Sequence, residues 1–299
     1  MNGIQIDSIL HDFNLPLDLY RLPKEARAIK PRLLDSSCPL PEDVTNLAVW
    51  GNRFDTSSLL RLPKLRFVQL GCSGLDRIDL SRLPSHVKIA RSSIIIAPSV
   101  ASTAISLIYC LSRQILPSAQ KRSRSCLNGK LHLMKNVFGA NILILGQGRI
   151  ARLIQKALKN ICTVVLSSSK DFKNLESISS YDYIVNVLPL NEHTNQIVDS
   201  SFFKMMHSSA YFINVGRGNT VNEFALAEAI YQGQIAGAGL DVHSPRVSSL
   251  GDPFTKCRNL IRLPHTGAHN SNYWALEIKL LQRNLERLSL GKRLIDQVA

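Results

Sequence analysis

The stretch Ile142-Leu143-Ile144-Leu145-Gly146-Gln147-Gly148-Arg149-Ile150-Ala151 constrains the fold more than any other part of the chain. Four consecutive apolar residues suit a strand buried on both faces, and Gly-x-Gly-x-x-Ala then turns into a helix expected over residues 149–159. Gly146 permits the tight turn, Gly148 lets an anion approach the backbone, and small Ala151 lets helix and strand pack closely. The first turn of such a helix offers unbonded N–H groups and the positive end of its dipole, which suits a pyrophosphate. Gly146, Gly148, Arg149 and Ile150 are therefore candidate dinucleotide contacts. The glycines alone would also fit an ordinary βα turn; their place between strand and helix is what adds weight.

The next strand, expected over 163–166, runs into Ser167-Ser168-Ser169-Lys170, and no carboxylate follows until Asp171. NAD sites place an acidic residue there for the ribose hydroxyls, whereas hydroxyls and a cation suit a 2′-phosphate. Ser168, Ser169 and Lys170 thus point to NADP in preference to NAD. A solvated Ser-rich loop is the equal alternative.

Around this turn the chain alternates strands and helices. Strands are expected at 46–50, 65–70, 87–90, 141–145, 163–166, 183–188, 210–215, 239–242 and 260–263. Helices are expected near 200–206, at 223–231 behind an Asn222 N-cap, and at 272–290. Such alternation implies α/β architecture with parallel sheets: two doubly wound, Rossmann-like domains with a cleft between them. The expected division is a dinucleotide-binding domain over 97–269 and a substrate domain over 1–96, completed by a C-terminal helix within 270–299.

Length and charge narrow the function. The 299 residues carry 36 Lys and Arg against 22 Asp and Glu, a net charge of +14. Short basic clusters such as Lys121-Arg122-Ser123-Arg124 are dispersed and lack interleaved aromatics, so no nucleic-acid partner is expected. The six cysteines stand singly, without paired metal spacing, which argues against a zinc site and for a reducing compartment. The N-terminus lacks a basic region followed by an apolar run, so cytoplasmic location is the expectation. The uncharged segment 93–112 has the length of a membrane span. Pro98 and its Ser and Thr content, with Val100, Ala104, Leu107 and Leu111 at helical spacing, favour a buried helix beginning near Ser99 and no membrane.

Further motifs give the chain a specific likeness. Asn214-Val215-Gly216-Arg217-Gly218, Leu240-Asp241-Val242 and Leu263-Pro264-His265-Thr266-Gly267 occur in order. With Leu188-Pro189-Leu190…Thr194, Gly71-Cys72-Ser73-Gly74-Leu75-Asp76 and Pro98-Ser99-Val100-Ala101, they resemble the D-isomer-specific 2-hydroxyacid dehydrogenase family over nearly the whole chain. The resemblance implies hydride transfer between NAD(P) and a 2-oxo acid or D-2-hydroxy acid, a small-molecule partner, and a homodimer. It assigns Arg217 to the substrate carboxylate and carbonyl and His265 to proton transfer, roles their chemistry suits. It places backbone N–H groups around Cys72, Ser73 and Gly74 on the carboxylate. Leu188, Pro189, Thr194, Val215, Asp241, His265 and Gly267 fall beside the cofactor. Taken singly, Arg217 also reads as a surface ion-pair partner, His265 as a loop histidine and Asp241 as a strand-end cap.

One departure stands out. After Asp241-Val242 the family carries a Glu-Pro whose Glu pairs with the catalytic histidine; here Arg246-Val247 occupies those positions. A guanidinium beside an imidazole disfavours its protonated form. Arg246 either points to solvent while Asp252 or Glu223 supports His265, or binds a second anionic group on the substrate, or marks a weak or inactive dinucleotide-binding regulatory protein. Ser102 replaces a common Glu, and His243 a common aromatic.

Overall fold

In a computed structural model, the described residues are 9–11, 26–28, 42–49, 56–76, 78–119, 134–170, 177–244 and 251–298. The chain divides into two compact units, Met1–Ile96 with His269–Ala299, and Ala97–Ala268.

The first unit is built on a five-stranded parallel sheet: β1 (Ile9–His11), β2 (Ala26–Ala28), β3 (Asn46–Val49), β4 (Phe67–Leu70) and β5 (Lys88–Arg91), ordered β2-β1-β3-β4-β5. β3 and β4 are buried throughout, as parallel strands covered on both faces require. One face packs Leu47, Leu59, Val68, Leu70 and Ile89, with α1 (Thr56–Leu60) contributing Leu59. The other packs Ala48, Phe67 and Ala90 against Leu281 and Leu285, so the long C-terminal helix belongs to this unit.

The helix at the boundary, α2, spans Ser93–Ser112 and starts a full turn and a half before the expected Ser99. Pro98 lies inside it, in the second turn, and forgoes the N–H bond that would reach the Ile94 carbonyl. The first turn is secured from far along the chain: Asp296 Oδ2 accepts the Ile94 N–H at 2.6 Å, and Ser92 O accepts those of Ile95 and Ile96. Val100, Ala104, Leu107, Ile108 and Leu111 are buried, in keeping with a core helix. A short α3 (Ile115–Ala119) follows, and the basic cluster at 121–124 lies outside the described residues.

The second unit holds a six-stranded parallel sheet: β6 (Asn141–Leu145), β7 (Thr163–Ser167), β8 (Tyr183–Asn186), β9 (Tyr211–Asn214), β10 (Gly237–Leu240) and β11 (Leu260–Arg262), ordered β11-β10-β9-β8-β6-β7. From β6 the chain steps outward to β7 and returns past β6 to β8. That reversal creates a switch point at the C-terminal ends of β6 and β8, where doubly wound sheets bind ligands. Helices α4 (Arg149–Leu158), α5 (Ser200–Met205) and α6 (Glu223–Tyr231) connect the strands. Asp199 caps α5, and Asn222 caps α6 by accepting the Ala225 N–H. The last helix, α7, runs Tyr273–Ser289.

Candidate active site

All neighbouring strands of the second sheet pair in parallel, so their C-terminal ends share one edge. Across that edge β11 leads to His265, β10 to Asp241, β9 to Arg217, β8 to Leu188 and Pro189, β6 to Gly146, and β7 to Ser167–Lys170. Segments scattered through the sequence thus form one row, with the proton-transfer candidate at one end and the phosphate turn near the other.

The phosphate turn has the features a pyrophosphate needs. Gly146 sits at φ +128°, where a side chain is strained, and a Cβ there would lie 2.8 Å from Val187 Cγ2. Gly148 caps α4 without a side-chain bond, and the space where its Cβ would stand is open to 4 Å. Ala151 is fully buried against the sheet. Gly146, Gly148, Arg149 and Ile150 could therefore hold a dinucleotide through the open N–H groups of the first helical turn. Beyond β7, Ser168 and Ser169 are half-buried and Lys170 is exposed.

The neighbouring loops are braced from beneath. Asn186 and Asn214 end β8 and β9, and both are buried. Asn186 Nδ2 donates to Asn214 Oδ1 (3.0 Å) and to Thr220 Oγ1 (2.7 Å), while its Oδ1 accepts the Leu188 N–H. Asn214 Oδ1 also takes the Gly216 N–H, and Thr220 Oγ1 donates to Arg217 O at 2.6 Å. One neutral network therefore shapes both the Leu188–Pro189 loop and the Arg217 turn. Sequence reasoning passed over Asn186 and Thr220; the signal was an amide closing each of two apolar strands, YIVN and YFIN. Arg217 is half-buried, with one guanidinium bond returning to Gly216 O. Leu188 and Val215 are buried, and Thr194, 1% exposed, donates its hydroxyl to Pro189 O. These side chains shape the loops around the turn, with Pro189 at the surface.

His265 is exposed and sits at φ +57°, an unusual conformation for a side-chain-bearing residue that has to be imposed by its surroundings. Asp241 imposes it. Its buried carboxylate accepts the N–H groups of Thr266 (3.0 Å) and Gly267 (3.0 and 3.1 Å), and a Cβ on Gly267 would run into that carboxylate. Asp241 is thus a strand-end clamp on the histidine loop. The His265 side chain makes no hydrogen bond or ion pair among the described residues. Asp252 is joined to Arg262 and accepts the Phe254 N–H, and Glu223 accepts the Ser244 N–H, so neither carboxylate is bonded to the His265 side chain. Arg246 lies outside the described residues.

In the first unit, the loop 71–74 follows β4. Its successive carbonyls are held: Gly71 O by the Tyr273 hydroxyl (2.9 Å), Cys72 O by the Ser92 N–H (3.1 Å), and Ser73 O by Arg91 Nη1 (3.1 Å). The N–H groups of Ser73 and Gly74 make no hydrogen bond among the described residues. Fixed donors of this kind suit an anion. Beneath them Gln69, Ser92, Glu277 and Asn284 form a buried chain of side-chain hydrogen bonds. Burial raises the Glu277 carboxyl to about 7, against the Ser92 and Tyr273 hydroxyls, which favour its charged form.

Comparison with known proteins supplies the family and the fold's relatives. Residues 105–267 match the family model of the D-isomer specific 2-hydroxyacid dehydrogenase NAD binding domain. A glyoxylate/hydroxypyruvate reductase B of Enterobacter sp. (strain 638) is 28% identical over 241 residues, covering 74% of each chain. Another of that name, from Cronobacter sakazakii, is 25% identical and covers 89% of this chain and 87% of its own. In fold, the NADPH-dependent glyoxylate/hydroxypyruvate reductase of Sinorhizobium meliloti, solved with NADP and malonate, superposes with a TM-score of 0.81 at 24% identity, covering 98% and 96% of the two chains. A glyoxylate reductase from Paecilomyes thermophila gives a TM-score of 0.80 at 20% identity, covering 98% of each chain. The chain belongs to the D-isomer-specific 2-hydroxyacid dehydrogenase family, oxidoreductases that exchange a hydride between a nicotinamide cofactor and a 2-oxo acid.

Proposed function

We propose that this protein reduces small 2-oxo acids of the glyoxylate and hydroxypyruvate kind, with NADPH preferred to NADH. The observation that carries the reading is the row of strand ends from His265 through Asp241 and Arg217 to Gly146. The names of the relatives supply the substrate class and favour turnover over a regulatory role. The cofactor preference rests on Ser168, Ser169 and Lys170 and the lack of a carboxylate directly after β7, and on the NADP held by the Sinorhizobium reductase.

A nicotinamide dinucleotide held at Gly146, Gly148, Arg149 and Ile150 would supply the hydride. Arg217 is assigned to the substrate carboxylate and the C2 carbonyl. The family resemblance assigns the N–H groups at Cys72, Ser73 and Gly74 to carboxylate binding as well. A ring nitrogen of protonated His265 gives its proton to the C2 oxygen as the hydroxyl forms, and the neutral ring is reprotonated from solvent. Asp241 keeps the histidine loop in place through Thr266 and Gly267. Arg246 is assigned to a second polar or anionic group on the substrate. By family resemblance the protein is a homodimer.

The test is oxidation of NADPH and NADH by the purified protein against a panel of 2-oxo acids that includes dicarboxylic and phosphorylated members. Turnover with glyoxylate or hydroxypyruvate, faster with NADPH, is expected. Tight dinucleotide binding with no turnover on any member would overturn the reading. Arg246→Glu should lower kcat/KM; a gain in activity would show that the missing Glu limits the enzyme.

A further inference from the structure

Two strand-end loops and the start of α6 meet at one side-chain pair in the second unit. His243 is half-buried, with Nε2 3.2 Å from Leu263 O, the residue that leads into Pro264-His265. A carbonyl only accepts, so Nε2 carries the hydrogen and, in the neutral ring, Nδ1 is a bare acceptor. Nδ1 is buried without a hydrogen bond among the described residues, and Glu223 Oε1 stands 3.9 Å away. That oxygen accepts the Ser244 N–H at 2.9 Å, while Oε2 is buried and has no hydrogen bond among the described residues. The backbone of His243 also packs against Gly218, beside Arg217, so closely that a Cβ on Gly218 would run into it. A bare ring nitrogen facing a buried carboxylate leaves two acceptors with no hydrogen between them, which is costly away from water. One proton satisfies both.

We propose that Glu223 and His243 hold one proton between them, and that this pair is a positioning device setting the Leu263–His265 loop for proton transfer. The inference rests on His265 as the proton donor. The shared proton comes from solvent and sits on the Glu223 carboxyl, which closes the 3.9 Å separation to donate it to Nδ1. Burial raises Glu223 to about 7, against the Ser244 N–H and Arg262, and burial lowers His243, against the Leu263 carbonyl. Both shifts favour the proton on the carboxyl rather than a charged pair. Among the described residues, the charged groups facing the pair are Arg262 and Asp252, joined to each other, and Asp241, tied to Thr266 and Gly267. As pH rises through about 7 the carboxyl ionises, Nδ1 faces a carboxylate, and the hold on Leu263 O loosens.

Glu223→Gln tests this, because an amide presents an N–H to Nδ1 at every pH while its oxygen still accepts the Ser244 N–H. The ratio of kcat/KM at pH 8 to that at pH 6 should be up to about tenfold higher in the variant than in the parent. In 15N-histidine spectra of the whole protein, His243 should be a neutral Nε2–H ring whose Nδ1 resonance moves near pH 7, and this movement should vanish in Glu223→Gln. An unchanged ratio, or a His243 spectrum indifferent to the substitution, would overturn the proposal. If Glu223→Gln fails to fold, His243→Phe should flatten the same ratio and lower kcat more than it changes KM; an unaltered profile again overturns it. The spectra require no turnover, so a protein that reduces no 2-oxo acid would defeat the functional reading while the spectra still decide whether the proton is shared.

Discussion

Both units support a loop at the C-terminal ends of parallel strands with a buried polar network, yet the two networks differ in kind. Asn186, Asn214 and Thr220 are neutral, and their bonds reach the backbone of the Arg217 turn and the Leu188 loop directly. Gln69, Ser92, Glu277 and Asn284 link β4, β5 and α7, and include a fully buried carboxyl. A neutral network of amides and hydroxyls has no proton to lose in the physiological range. A buried carboxyl must keep its proton or bear the cost of a charge in a poor solvent. The loop under Arg217 should thus be indifferent to pH, and the packing beneath residues 71–74 should not.

The strongest way to break the comparison is Asn186→Leu. It keeps the branching and the number of side-chain heavy atoms but strips partners from Asn214, Thr220 and the Leu188 N–H, at a cost of about 3–4 kcal/mol. Urea denaturation should show a lower midpoint at an unchanged slope, with the same loss at pH 5 and pH 8. A loss under 1 kcal/mol would mean that the network is ornamental to stability.

Glu277→Gln sharpens the contrast. The carboxyl titrates at its ordinary 4.5 when unfolded and at about 7 when folded. Between those values the folded chain holds a proton that the unfolded chain has lost. Its contribution is therefore full below 4.5, falls as pH rises, and is gone above about 7. The parent should lose on the order of 3 kcal/mol across that window relative to Glu277→Gln. Glu223 adds a slope of the same sign in both proteins, so a residual fall is expected in the variant. Parallel stability curves from pH 4.5 to 8 would refute the burial argument.

Tyr273→Phe is the smallest change. It removes the hydroxyl from Gly71 O and should cost about 1 kcal/mol of stability. On the proposed function it should also raise KM for the 2-oxo acid several-fold with little change in kcat, because it loosens a loop that binds the substrate carboxylate. A kcat effect without a KM effect would remove that loop from substrate binding.

The α/β class and most elements were legible locally. The strand at 141–145 and the helix at 223–231 with its Asn222 cap appear where apolar runs and capping chemistry place them. Strands expected over six residues at 183–188 and 210–215 are trimmed to four, because the ladder ends where Asn186 and Asn214 turn to bracing the loops. β1 and β2 were missed: three residues carry too little periodicity, and they are strands because β1 pairs with the edge of β3 and β2 with β1. The early start of α2 depends on Asp296, which is about 200 residues distant and outside any local window.

The candidate site divides in the same way. The glycine turn, Arg217, Asp241 and His265 could be named from the chain because each sits in a short stereotyped motif. Turn glycines, a charged fork and an imidazole are chemistry that a few neighbouring residues specify by themselves. Their arrangement in one row, the left-handed backbone of His265 under the Asp241 clamp, and the meeting of Glu223 with His243 belong to the tertiary structure. These follow from strand order and from burial, which are set by pairing between distant segments, and no local pattern encodes which distant carboxyl a side chain will face in the absence of water.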